Sequence, residues 1–314
     1  NHLRKITPRL IASVLSHDKG LTAKLAKIQK DRRNEWILNP GVNPAATSII
    51  QKALRMDESN GSPNDDDIEK FFQQLYNSDL DTQDMNGDCP VPPPFVITND
   101  EVEGAIARLS KGKSPGPSGI NAEFLSAFKD KIVPHLTSAF NTILQGQCDA
   151  RWKRGVIVLL PKNGDLSKVD NWRPITLLNT EWKAFTTIVR SKLEAQWGDS
   201  VGSAQIGFRK GRWIHEHHLV LQAALQAAKE QFAAVVFLDF KNAYDSLHHS
   251  AILHKFTRLG GSAWRNVILS ILGGESKIWF RGRWAGSCSI RRGVRQGDTI
   301  SPLLFNIALS DLLQ

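Results

Sequence analysis

The chain is poor in the residues that would make it a secreted or membrane protein. Three cysteines occur in 314 residues, at Cys89, Cys148 and Cys288. An odd, widely spaced set gives no disulfide framework and no zinc-ligand pair, and fits reduced intracellular thiols. No apolar run is long enough to span a bilayer, so no membrane partner is expected. The first residues, "NHLRKITPRL", lack a starting methionine and a signal-peptide pattern, and read as an excerpt from a longer polypeptide. There is no internal repeat. Acidic charge is scarce except in one stretch.

What is present is basic charge on an ordinary globular background, with 41% hydrophobic residues and a net charge of +9. Residues 1–33 carry nine Lys/Arg against two Asp/Glu, and residues 34–100 reverse this with three against twelve. Residues 101–314 return to 28 against 17. A long basic globular part points to a polyanionic partner, most simply nucleic acid.

Pattern divides the chain into three parts. Residues 1–97 read as a mostly helical, loop-rich extension. It holds a basic helix in "LTAKLAKIQKDRRNEWIL", an amphipathic helix in "DIEKFFQQLY", and an acidic Pro/Gly linker in "DLDTQDMNGDCPVPPP". "TNDEVEGAIARL" predicts a helix capped by Thr98 or Asn99. A basic Gly/Pro loop, "KGKSPGPSGI", carries Lys111 and Lys113. "AEFLSAFKDKIVPHLTSAFNTIL" resumes helical periodicity. "GVIVLLPK" and "WRPITLL" predict two strands, and "EWKAFTTIVRSKLEAQW" and "HEHHLVLQAALQAAKEQF" two helices. "VVFLDF" predicts a strand, "DSLHHSAILHKFTRLG" a helix capped by Asp245 or Ser246, "SKIWFRGRWAGSCSIRRGV" a hairpin, and "SPLLFNIALSDLLQ" a helix with Ser301 as cap and Pro302 at its first position.

Chemistry concentrates at a few points. Asp239 ends the predicted strand at a sheet edge, where a carboxylate either holds a hard cation such as Mg2+ or caps a turn. Asp245, six residues on, is placed to cap the following helix. The turn "FKNAY" between them exposes backbone N–H groups suited to phosphate, with Tyr244 beside them. Lys162 ends one strand and Arg173 opens the next, 11 residues later, so two cations could clamp a triphosphate. Gln296-Gly297 forms a turn that allows a ligand close to the backbone. "HEHH" at His215–His218 is no zinc helix, because Leu219 stands where the second histidine is needed. Trp152, Trp172 and Trp182 are expected in the core.

The order of segments adds what no single one gives. "KSPGPSGINAEFL", "VIVLLPKNGD", "NWRPITLLNTEWKAF", "QIGFRKGR", "VVFLDFKNAYDSL" and "GVRQGDTISPLLFNIAL" follow one another over residues 99–314. The set closely resembles the reverse transcriptases of non-LTR (LINE-type) retrotransposons. The resemblance implies an α+β right-hand polymerase, with fingers and the start of the palm over residues 98–230 and the rest of a partial palm over 231–314, an antiparallel sheet with flanking helices. It implies an RNA-directed DNA polymerase that extends a primer 3′-hydroxyl with dNTPs on an RNA template by two-metal phosphoryl transfer. Partners would be template RNA, primer or target DNA and dNTPs, in the nucleus or a cytoplasmic ribonucleoprotein.

Residue by residue, Asp239 and the carbonyl of Phe240 match the metal ligands. Lys162, Arg173, Asn242, Ala243, Tyr244, Gln296 and Gly297 match nucleotide-binding positions, with Tyr244 screening the 2′-hydroxyl. Lys111, Lys113, Arg209, Lys210 and Arg212 are expected on nucleic acid. Ser118 stands where the family usually has aspartate, and Thr299-Ile300 where it has Pro-Leu. The aromatic-x-Asp-Asp motif and the thumb are not among the 314 residues, so the chain by itself is expected to be inactive. A non-catalytic nucleic-acid-binding remnant, or another template-directed polymerase of the same fold, are the alternatives.

Overall fold

The computed structural model describes residues 61–77, 93–198, 201–228, 234–259 and 261–310. The basic helix expected near residue 21 and most of the acidic linker lie outside them. Helix α1 (Asp65–Tyr76) is capped by the Asn64 side chain, which accepts from the Asp67 N–H, with three aspartates in its first turn. Acidic groups there complement the helix dipole. Its Ile68, Phe72 and Tyr76 are buried, as the periodicity of "DIEKFFQQLY" demands. Helix α2 (Asn99–Arg108) starts with a capping box between Thr98 and Glu101. The next helical stretch is broken at Phe128 into α3 (Ala122–Ala127) and α4 (Lys129–Leu144).

The two expected strands, β1 (Gly155–Pro161) and β2 (Trp172–Leu178), form an antiparallel hairpin, with Leu160 opposite Arg173. Helices α5 (Thr180–Trp197) and α6 (Ile214–Ala227) follow. A single helical turn, α7 (Ala243–Ser246), precedes α8 (His249–Arg258) and α9 (Ser262–Ile271). Strands β3 (Glu275–Phe280) and β4 (Arg283–Ser289) make the second hairpin, and α10 (Ser301–Leu309) closes the described chain.

The four strands form one sheet in the order β2-β1-β3-β4. It is mixed rather than wholly antiparallel, because β1 pairs with β3 in parallel. Well over a hundred residues separate those two strands. A crossover that long permits the parallel arrangement, which a hairpin turn forbids. Two strands come from each side of residue 230, the boundary expected from the sequence, so that boundary does not divide the sheet. One face, carrying Ile157, Leu159, Ile278, Phe280, Ala285 and Cys288, packs on Ile68, Phe72 and Tyr76 of α1. A second core is built from α2, α4, α5, α8, α9 and α10. Trp152, Trp172 and Trp182 are all buried, as expected.

The largest departure concerns "VVFLDF". Residues 234–240 are not in a strand; they are exposed, with Phe237 at 83% and Leu238 at 86% of full accessibility. A strand exists only beside a partner, and among the described residues no ladder is offered to this segment. Helix α6 likewise buries none of its described residues, leaving Ile214, Leu219 and Val220 open to solvent. Its histidines are therefore on a solvated helix. No helix among the described residues is long and apolar enough to cross a membrane. Cys148 and Cys288 are free thiols.

Candidate nucleotide site

The site assembles where four chain segments meet. Asp245 is the hub. Its expected role as a helix cap is not what the structure shows. The backbone turns extended at Leu247 and His248, and α8 begins only at His249 with no side-chain cap. Asp245 is instead 1% exposed, with its carboxylate turned inward. Its Oδ1 accepts from the Tyr76 hydroxyl at 2.8 Å and its Oδ2 from Gln296 Nε2 at 2.8 Å. Burial pushes its pKa up, while Tyr76, Gln296 and the nearby Lys162 ammonium pull it back. Tyr76 is raised well above the usual phenol value, first by burial and then by the Asp245 charge. A buried carboxylate with both oxygens hydrogen-bonded and a cation nearby is the form in which such a group is tolerated.

The loop from Arg291 to Gly297 is held on several sides. The Arg291 N–H donates to the Tyr76 carbonyl at 2.9 Å, and the Arg292 guanidinium to the Leu75 carbonyl at 2.6 Å, so the loop closes the C-terminal end of α1. The Gly293 N–H donates to Leu247 and the Val294 N–H to Tyr244, while His249 Nε2 meets the Gly293 carbonyl at 2.9 Å. Gly293 has φ +82°, and a Cβ there would lie 2.7 Å from the Asp245 carbonyl oxygen. The Gln296 carbonyl accepts from the Thr176 N–H of β2 at 2.7 Å. Gly297, expected to admit a ligand, instead admits strand β2: at φ +121°, a Cβ would collide with the Thr176 carbonyl. Ser301 does not cap α10. Ile300 precedes the helix without a side-chain cap, and the Ser301 hydroxyl donates to the Arg295 carbonyl.

The cations sit at one end of this assembly. Lys162, at the end of β1, is half-buried, and its Nζ donates to the Asp170 carbonyl at 3.0 Å. Lys241, two residues past Asp239, reaches the same residue, with Nζ 3.0 Å from Asp170 Oδ2. Asp170 thereby ties the Asp239 segment to the β1–β2 hairpin. Arg173 is exposed. Asp239 is exposed and makes no hydrogen bond or ion pair with the described residues; neither does it cap a turn. Phe240 is exposed beside it. Asn242 adopts the left-handed conformation at φ 50° and leads into α7 with Ala243. The Tyr244 ring stacks on Phe305 with centroids 4.8 Å apart and meets Phe208 of "QIGFRKGR" edge-on at 6.3 Å. Burial pushes the Tyr244 phenol to about 12.

The basic residues expected on nucleic acid divide. Lys111, Lys113 and Lys210 are exposed. Arg209 is turned inward, donating to the carbonyls of Gly198, Gly202 and Gln205, so it closes the end of α5 and its loop. Arg212 pairs with Glu216 at 3.2 Å and donates to the Ser203 carbonyl. Ser118 donates to Glu181 Oε2 at 3.1 Å, so the loop "KSPGPSG" is tied to the start of α5.

The sequence reading did not single out Tyr76, Asp170 or Lys241. One signal was available for the first: the chain has two tyrosines, and both lie in this site.

Residues 160–314 match the family model for reverse transcriptase (RNA-dependent DNA polymerase). These residues form a reverse transcriptase domain. Its similarity to individual relatives extends further toward the N-terminus. It is 31% identical over 223 residues to the Pol polyprotein of the type-1 retrotransposable element R2 of Popillia japonica, covering 69% of this chain and 30% of that protein. It is 28% identical over 227 residues to the RNA-directed DNA polymerase of the mobile element jockey of Drosophila melanogaster, covering 70% and 25%. It is 26% identical over 267 residues to a 149 kDa protein of transposon TX1 of Xenopus laevis, covering 79% and 20%. The chain thus spans a fifth to a third of the length of these relatives. Within the reverse transcriptase domain fall Lys162, Arg173, Asp239, Asp245 and Gln296. Helix α1 and Tyr76 lie N-terminal to it.

Proposed function

We propose that this chain forms the fingers and part of the palm of an RNA-directed DNA polymerase of a non-LTR retrotransposon, working on an RNA template, a DNA primer and dNTPs. In this reading residues 98–230 are the fingers with the start of the palm, 231–314 continue the partial palm, and 1–97 are an extension. The observation that carries the reading is the convergence around Asp245. Gln296 is bonded to it, Lys162 is within its field, and the Asp239 segment is tied to the Lys162 hairpin through Asp170.

Each residue then has a role. Lys162 and Arg173 neutralise the triphosphate, and bidentate arginine suits phosphate oxygens. Asn242 and Ala243 supply backbone N–H groups to the same phosphates. Tyr244, braced by Phe305, presents a ring edge to the sugar and excludes a 2′-hydroxyl. Gln296 borders the base pair being formed, and Gly297 lets its loop close against β2. Lys111, Lys113 and Lys210 contact the nucleic-acid backbone, an electrostatic interaction that weakens with salt. Arg209 and Arg212 hold their loop in shape for that contact.

Reverse transcriptases use divalent metal ions. Asp239 fits such an ion as a hard oxygen donor that is exposed and not engaged by any described side chain. Magnesium takes one or two carboxylates together with substrate phosphates. Asp239 and the Phe240 carbonyl would hold Mg2+, which supplies charge neutralisation at the reacting phosphate. No cluster of three metal-ligating side chains occurs among the described residues.

The test is Asp239→Ala in the complete polymerase. Primer extension should disappear while template RNA is bound with nearly unchanged affinity. Retained synthesis refutes the metal role.

A further inference from the structure

Helix α1 lies outside the segment matched as a reverse transcriptase, yet its last residue reaches the centre of the site. The Tyr76 hydroxyl is 2.8 Å from one Asp245 oxygen, and Gln296 Nε2 is 2.8 Å from the other. Both Asp245 oxygens accept a hydrogen bond, so both partners are oriented as donors. The phenol must donate, and the glutamine must turn its NH2 inward. The amide oxygen of Gln296 is then the group left facing away from Asp245, as an acceptor for a ligand.

The backbone of the same loop is fastened to α1 as well, through Arg291 to the Tyr76 carbonyl and Arg292 to the Leu75 carbonyl. Phe72 stacks on Tyr76 at 6.1 Å, and Tyr76 is 3% exposed, so the phenol cannot swing away without opening the core under the sheet. We propose that Tyr76 is a positioning residue for the nucleotide site, setting the Gln296 side chain through the buried Asp245 carboxylate. The N-terminal helix is then a working part of the polymerase rather than an appendage. This rests on the reading of Gln296 as a nucleotide-side residue.

The experiment uses the complete polymerase and three variants: Tyr76→Phe, Gln296→Ala and the double variant. Tyr76→Phe keeps the ring and its packing and removes one oxygen. It should raise the dNTP KM about tenfold, the scale of one hydrogen bond to a charged group, with kcat within about twofold. A merely structural tyrosine would lower the denaturation midpoint and the active fraction, which reduces apparent kcat and leaves KM unchanged. Gln296→Ala should raise KM at least as much. If Tyr76 acts through Gln296, the double variant is no worse than Gln296→Ala alone, a coupling that independent effects do not produce. An unchanged KM in folded Tyr76→Phe, or multiplied effects in the double variant, overturns the relay and leaves the polymerase reading standing. An unchanged KM in Gln296→Ala overturns the nucleotide-side role of Gln296 itself, and the relay with it.

Discussion

Replacing Glu181 by glutamine should stabilise the protein at pH 8 and leave it nearly unchanged at pH 5. Glu181 is 2% exposed in the first turn of α5, with the Ser118 hydroxyl donating to it. Burial raises its pKa from 4.5 to about 7, against the hydrogen bonds that favour the ionised form. The folded state thus holds its proton more tightly than the unfolded state. Stability contributed by this group is present below pH 4.5 and is lost as pH rises toward 7. At 1.36 kcal/mol per pH unit, the loss amounts to about 3 kcal/mol. A glutamine is a neutral isostere that still accepts from Ser118, so it escapes that loss. His249 titrates in the opposite sense. Burial holds it down to about 4, so its contribution is full above its ordinary 6.5 and fades as pH falls toward 4. The two slopes oppose each other in the parent protein, and only the difference between variant and parent isolates Glu181. Urea unfolding at pH 5 and pH 8 measures that difference. A difference that is the same at both pH values refutes the buried-carboxyl argument.

Ser118→Asp should be destabilising by about 1–3 kcal/mol, since it sets a second carboxylate against buried Glu181. Combining it with Glu181→Gln should restore most of the loss, and unfolding of the four proteins of that cycle checks it. Gly297→Ala should cost about 2–4 kcal/mol, because the position has φ +121° and no room beside Thr176. An unchanged unfolding midpoint contradicts that steric account. Tyr244→Ala in the complete polymerase should admit ribonucleotides; incorporation still confined to deoxynucleotides rules out the screening role.

Elements that carry their own local signals were legible in the sequence. Helix α2 was announced by Thr98 and Glu101, α1 by its apolar face, and the β3–β4 hairpin by "RGR" between alternating residues. Arg281 and Gly282 take up the positive φ angles such a turn requires, at 45° and 87°. Signals that depend on a distant partner were not. "VVFLDF" has the composition of a buried strand, but β propensity expresses fit to a pleated surface rather than a backbone preference. The same limit hid the parallel β1–β3 pairing, which depends on how a long crossover packs.

The site shows the same division more sharply. Lys162 and Gln296, which the structure brings to Asp245, could be picked out as candidates because each stands at an element boundary. Asp245 was visible too, but its position before a helical pattern argued for a cap. Only the packing reveals why it fails as one. The turn at Leu247–His248 ends the helical path two residues after it, and a phenol from 169 positions away meets its carboxylate. Nothing local to residue 76 or residue 245 encodes that meeting. It follows from α1 covering the sheet, and the sheet is closed by β1 and β3 from opposite ends of the domain. The chemistry of the site is therefore written in short motifs. The orientation of its most informative side chain, Gln296, depends on a helix that no motif includes.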